Sequence, residues 1–137
     1  MNRVLYVLSA AASVVWAAGA QAAELPPEVD AAFAHYTALA EELVPVLQAA
    51  QDAQSAGEAA PQLEKLLSKV MDAKRELDEI KELPPEVAAE VRRKYEQKMR
   101  SNWGRVYDEV YRLQSVRCYE NVPFFKNFRT LCVFLNQ

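Results

Sequence analysis

Apolar positions recur along this chain at steps of three and four, the spacing that lines one face of a helix. In the first segment they are Val29, Phe33, Tyr36, Ala40, Leu43, Leu47 and Ala50, separated by 4, 3, 4, 3, 4 and 3 residues. The Pro26–Pro27 pair predicts the start of this helix, because a fixed φ suits the first turn. Pro45 falls off the stripe and predicts a bend on the solvent side rather than an end. A second stripe is Leu63, Leu66, Val70, Ala73, Leu77 and Ile80, ended at Leu83 by Pro84–Pro85. The break before it, Gln54 to Gly57, reads as a capping box of Ser55 and Glu58, with Pro61 as a rival first-turn marker.

The third helix is expected from Pro85 to about Arg117, with Val87, Val91, Tyr95, Met99, Trp103, Val106, Val110 and Leu113 on its stripe. Its four opening steps of four depart from the heptad and predict local unwinding of any supercoil. Asn121–Val122–Pro123 predicts a cap for a short fourth helix, to about Leu135, presenting Phe124, Phe128, Leu131 and Leu135. The expected fold is therefore all-α: an up-down bundle of three long helices plus a short C-terminal fourth, in one domain over residues 23–137. Its rival is an extended coiled coil that completes its core by dimerising, so monomer and homodimer both remain open.

Glu82–Val87 repeats Glu24–Val29 residue for residue. Either a helical hairpin was duplicated, or a good helix start was used twice. Similarity fades after Val29 and Val87, which favours the second reading.

Residues 1–22 read as a secretory signal peptide. Arg3 is followed by an apolar run and by Ala20–Gln21–Ala22, a small-x-small cleavage pattern. The run falls short of the roughly 20 residues of a spanning helix, and no transmembrane span is expected in the mature chain. The protein is therefore expected to be exported, periplasmic or secreted. Removing 22 of the 137 residues leaves 115, enough for one core.

Export changes how Cys118 and Cys132 are read. In an oxidising compartment a lone pair is expected to form a disulfide. Along one continuous helix their Cα atoms would stand about 21 Å apart. A bond tolerates less than about 7 Å, so the chain must reverse between them. A redox-active role is disfavoured by the absence of Cys-x-x-Cys spacing.

Charge is unevenly placed. Ala23 to Glu64 holds eight acidic residues and no Lys or Arg, whereas Arg92 to Gln137 holds ten basic residues and four acidic ones. The first and third helices are thus complementary, which favours their pairing. The alternative use of the basic helix is an anionic partner: an anionic envelope surface or another envelope protein. Nucleic acid is not expected for an exported chain of acidic balance. The residues marking a possible partner surface are Arg92, Arg93, Lys98 and Arg105 on the third helix. Phe124, Phe125, Lys126 and Arg129 join them if the aromatic C-terminal segment is exposed rather than a cap over the bundle end.

Chemistry is sparse. His35 is the single histidine, and zinc needs three or four ligands, so no metal site is expected. No glycine-rich phosphate loop is present, and catalytic residues and cofactors are likewise not expected. The break at Gln51 to Glu58 and the Pro84–Pro85 boundary resemble the layout of the periplasmic b-type cytochrome bundles, over about the first half of the mature chain. That family ligates haem with a Met of its first helix and a His near its end. Here Met71 and Met99 lie on the second and third helices, and no histidine follows His35. The resemblance thus implies a layout and no haem. More broadly, the chain resembles small exported helical-bundle proteins of unknown function. The function expected is a non-enzymatic binding or scaffolding module of the cell envelope; the alternative is a small-ligand or cofactor carrier.

Overall fold

The computed structural model describes residues 23–137, so the expected signal peptide lies outside the described residues. Those residues form four α-helices and no strand: α1 (Pro27–Ala49), α2 (Ala53–Glu79), α3 (Pro85–Gln114) and α4 (Val122–Leu135). A short 3-10 turn, Arg117–Glu120, links α3 to α4.

The helix starts follow from their prolines and caps. Pro26 and Pro84 are extended, with ψ of 133° and 145°, because each precedes another proline. That stops backward growth, while Pro27 and Pro85 open the first turns beside Glu28 and Glu86. The repeated hexapeptide therefore does the same local task twice. Asn121 caps α4 as expected, its side chain accepting from the Phe124 amide at 3.0 Å.

Three boundaries differ from the sequence reading. The capping box of α2 is Asp52 with Ser55, not Ser55 with Glu58. Asp52 accepts from the Ser55 amide at 2.8 Å, and Ser55 Oγ accepts from the Asp52 amide at 3.0 Å. Both short polar side chains reach a free amide, which the longer Glu58 is not needed to do. The helix consequently begins before the expected break, and Pro61 lies inside it. At the other end α2 stops at Glu79 rather than Leu83, and α3 stops at Gln114, where the chain tightens into the 3-10 turn.

The stripes are the core. All seven positions of the first are buried, as are Leu63, Leu66, Val70, Ala73 and Leu77 on the second. Val91, Tyr95, Met99, Trp103, Val106, Val110 and Leu113 on α3 join Phe124, Phe128, Leu131 and Leu135 on α4. Leu43, Leu47, Leu63 and Val91 are fully enclosed, each contributing about 1.5–3 kcal/mol by leaving water. Aromatic rings tie three helices together. Trp103 of α3 stacks on Tyr36 of α1 at 4.8 Å between centroids and meets Phe134 of α4 at 6.0 Å.

Neighbours are not the consecutive helices throughout. α1 packs against both α2 and α3, and α2 packs against α4, but α2 and α3 share no substantial interface. Cross-links between α1 and α3 run Asp30–Lys94, Glu41–Lys98, Gln48–Glu109 and Ala50–Arg112. Rising numbers on one helix meet rising numbers on the other, so the two helices are parallel.

Candidate functional site

The basic residues of α3 divide by what they meet. Lys94 Nζ lies 2.7 Å from Asp30 Oδ1, and the Tyr95 hydroxyl donates to the same carboxylate and to the Asp30 carbonyl at 3.1 Å. Hydrogen bonds from Lys94 and then Tyr95 hold the Asp30 carboxyl below the usual carboxylate range. Burial, reinforced by Asp30, pushes the Tyr95 phenol up. Two turns further, the buried Asn102 donates to Glu41 Oε1 at 3.0 Å and to the Thr37 carbonyl at 3.2 Å. That bond and Lys98, 3.3 Å away, depress Glu41. The acidic-basic complementarity of the first and third helices is thus used inside the molecule.

Arg112 acts on the other end of α1. Its Nη2 donates to the Leu47 carbonyl at 2.8 Å, and both terminal nitrogens reach the Ala50 carbonyl at 3.1 Å. Its Nε meets Glu109 at 2.7 Å. No basic residue lies in the last turn of α1, so a neighbouring helix satisfies its final carbonyls.

These contacts change the standing of the expected partner residues. Arg93 forms an ion pair with Glu90, and Lys98 pairs with Glu41. Arg92 is half-buried, with Nη2 enclosed and lacking a hydrogen bond. Arg105 is exposed, and its charge reaches Glu41. Arg92, Arg93 and Arg100 line a groove of about 430 Å³ along α3 with Glu96, Gln97 and Ser101. Carboxylates within the same helix already pair two of those three arginines.

The C-terminal segment divides as well. Phe124 has 0% exposure and cannot meet a partner, a correction that follows from the core face of so short a helix. Phe125 is half-buried and packs on the edge of the core, whereas Lys126 and Arg129 are exposed. Phe125, Lys126 and Arg129 line a groove of about 850 Å³ between α2 and α4. Val122, at 74% exposure, and Val133, at 60%, line it from α4, and Met71, at 43%, lines it from α2. Three of the six exposed large apolar side chains of the described residues therefore gather in one groove.

Sequence periodicity missed this because α4 is apolar on two sides. Phe124, Phe128, Leu131 and Leu135 face the core, while Val122, Phe125, Arg129 and Val133 form an outer stripe at helical spacing. The composition of Val122–Leu135, with four polar residues in fourteen, was the available signal.

The expected disulfide between Cys118 and Cys132 is absent, and both residues are free thiols. The chain does reverse between them, but Cys118 sits in the 3-10 turn with its thiol against the Leu113 carbonyl at 3.5 Å. Chain reversal is necessary for a bond and not sufficient, since the two side chains must also point at each other. Burial pushes both thiols up, Cys132 further through Cys118.

His35 is half-exposed, with Nδ1 4.0 Å from Glu76, beside a groove of about 860 Å³ between the start of α1 and the end of α2. No group of three or more His, Cys, Asp or Glu side chains suited to a metal ion occurs among the described residues. No described helix is long and apolar enough to cross a membrane. Compared with known proteins, the chain matches no family model, no curated protein and no solved structure.

Proposed function

We propose that this protein is an exported, non-enzymatic binding module of the cell envelope, an alternating up-down bundle released from its signal peptide. The observation that carries this reading is the groove between α2 and α4. Met71, Val122 and Val133 stand in solvent there beside Lys126 and Arg129, neither of which has an ion-pair partner among the described residues. Exposed apolar side chains cost solubility, and their collection beside unpaired cations marks a contact surface. The basic face of α3 is the weaker candidate, because α1 and its own carboxylates occupy most of it. A carrier function is less favoured, since the grooves are open and large side chains fill the core.

Expression of the full chain in a bacterial host, followed by fractionation, tests this reading. The chain recovered from the periplasm is expected to lack residues 1–22 and to sediment with washed envelopes. Replacing Phe125 and Val133 with Glu is expected to return it to the soluble fraction. Wild-type protein that stays wholly soluble would remove the contact-surface reading.

A further inference from the structure

Resting on that contact surface, we propose that the occupant of the α2–α4 groove is an anionic phospholipid bilayer, against which α4 lies along its length. The stripe Val122, Phe125, Arg129 and Val133 steps by three or four residues along one side of α4, with Lys126 beside it. Two of its members, Val122 and Val133, are the most exposed large apolar side chains on the groove and lie near opposite ends of the helix. Side chains that stand proud at both ends suit insertion into a flat interface. A partner helix would instead need them to form the floor of a closed trough.

Charge favours the same occupant. α4 has two cations and no acidic residue, although the whole chain carries a net charge of −3. The other two cations of the groove are spoken for: Lys74 pairs with Asp78 at 2.6 Å and Arg75 with Asp72 at 2.8 Å. Attraction to an anionic surface is therefore concentrated at Lys126 and Arg129, whose stems can lie on the apolar boundary while their charges meet headgroups.

The test is co-sedimentation of the mature chain with phosphatidylglycerol-containing vesicles, against vesicles of phosphatidylcholine alone. Binding is expected for the anionic vesicles only, weakening as salt is raised. Each cation near such a surface contributes about fivefold, so the double variant Lys126→Gln/Arg129→Gln should bind about 25-fold more weakly. Val122→Ser/Val133→Ser should also release the protein, and both exposed pairs should leave the helical circular dichroism unchanged. Equal binding to neutral vesicles would overturn the proposal. So would envelope sedimentation that persists without anionic-vesicle binding, an outcome that keeps the contact surface and gives it a protein occupant. A lipid-free dimer cross-linked by Val133→Cys in a Cys118→Ser/Cys132→Ser background would assign the groove to a second copy instead. Absence of both envelope and vesicle binding would end the functional reading as well.

Discussion

Removing the Arg112 guanidinium should loosen the end of α1 without touching α1 itself. Arg112→Met keeps most of the aliphatic stem and deletes three hydrogen bonds to the Leu47 and Ala50 carbonyls. Hydrogen bonds from a charged donor contribute about 1.5–3 kcal/mol each when isolated. Here they share two acceptors, and Arg112 is 31% exposed, so water replaces part of what is lost. Glu109 also loses its closest cation, although Gln48 Nε2 remains 3.4 Å away. The expected cost is about 2–3 kcal/mol, or about 10 °C in Tm for a domain of this size. Arg112→Lys keeps the charge but not the fork, and should recover about half of that loss. Urea denaturation, followed by far-UV circular dichroism and by Trp103 fluorescence, measures both variants. Arg112→Met within about 0.5 kcal/mol of wild type would refute the cross-helix cap, since that is the scatter of ordinary surface substitutions. A lysine variant as stable as wild type would show that charge alone, and not bidentate geometry, matters.

Two further outcomes follow from the site chemistry. Asp30 and Glu41 have folded-state values below their unfolded ones, so the stability they add is present above about pH 4 and is lost as pH falls through the folded values. Asp30→Asn/Glu41→Gln should therefore lower the urea midpoint at neutral pH and flatten its decline toward about pH 3, and an unchanged acid decline would contradict the pairing. Because both cysteines are free and burial raises their thiols, native protein should alkylate slowly at mildly alkaline pH and take two labels once unfolded without reductant. A mass two hydrogens lighter, with no label taken up, would restore the disulfide.

Helix number, type and most stripe positions were legible in the sequence because they depend on local causes. A proline pair forces the preceding residue extended, a short polar side chain captures a nearby amide, and a period of three to four residues collects one apolar face. The same locality explains the errors. The sequence reading paired Ser55 with Glu58, three residues on, whereas the folded geometry pairs it with Asp52, three residues before. Gly57 carries a related message, since a Cβ there would come within 2.7 Å of Asn121 Nδ2, a neighbour 64 positions away.

What the sequence by itself determined is that four amphipathic helices exist, where α1, α3 and α4 begin, and that the first and third carry opposite charge. Tertiary structure alone decided that Arg112 closes the end of α1 and that the outer stripe of α4 meets α2 at its edge. It also decided that Phe124 is buried beside a half-exposed Phe125, and that two cysteines after a chain reversal remain unbonded. The physical reason is common to all of these. Periodicity states which side of a helix must leave water, but not which other helix will cover it. Between α1 and α3 the contacts that settle that choice join residues 57 to 65 positions apart, and between α2 and α4 Asn127 reaches the Ala60 carbonyl 67 positions away, where no local pattern reaches.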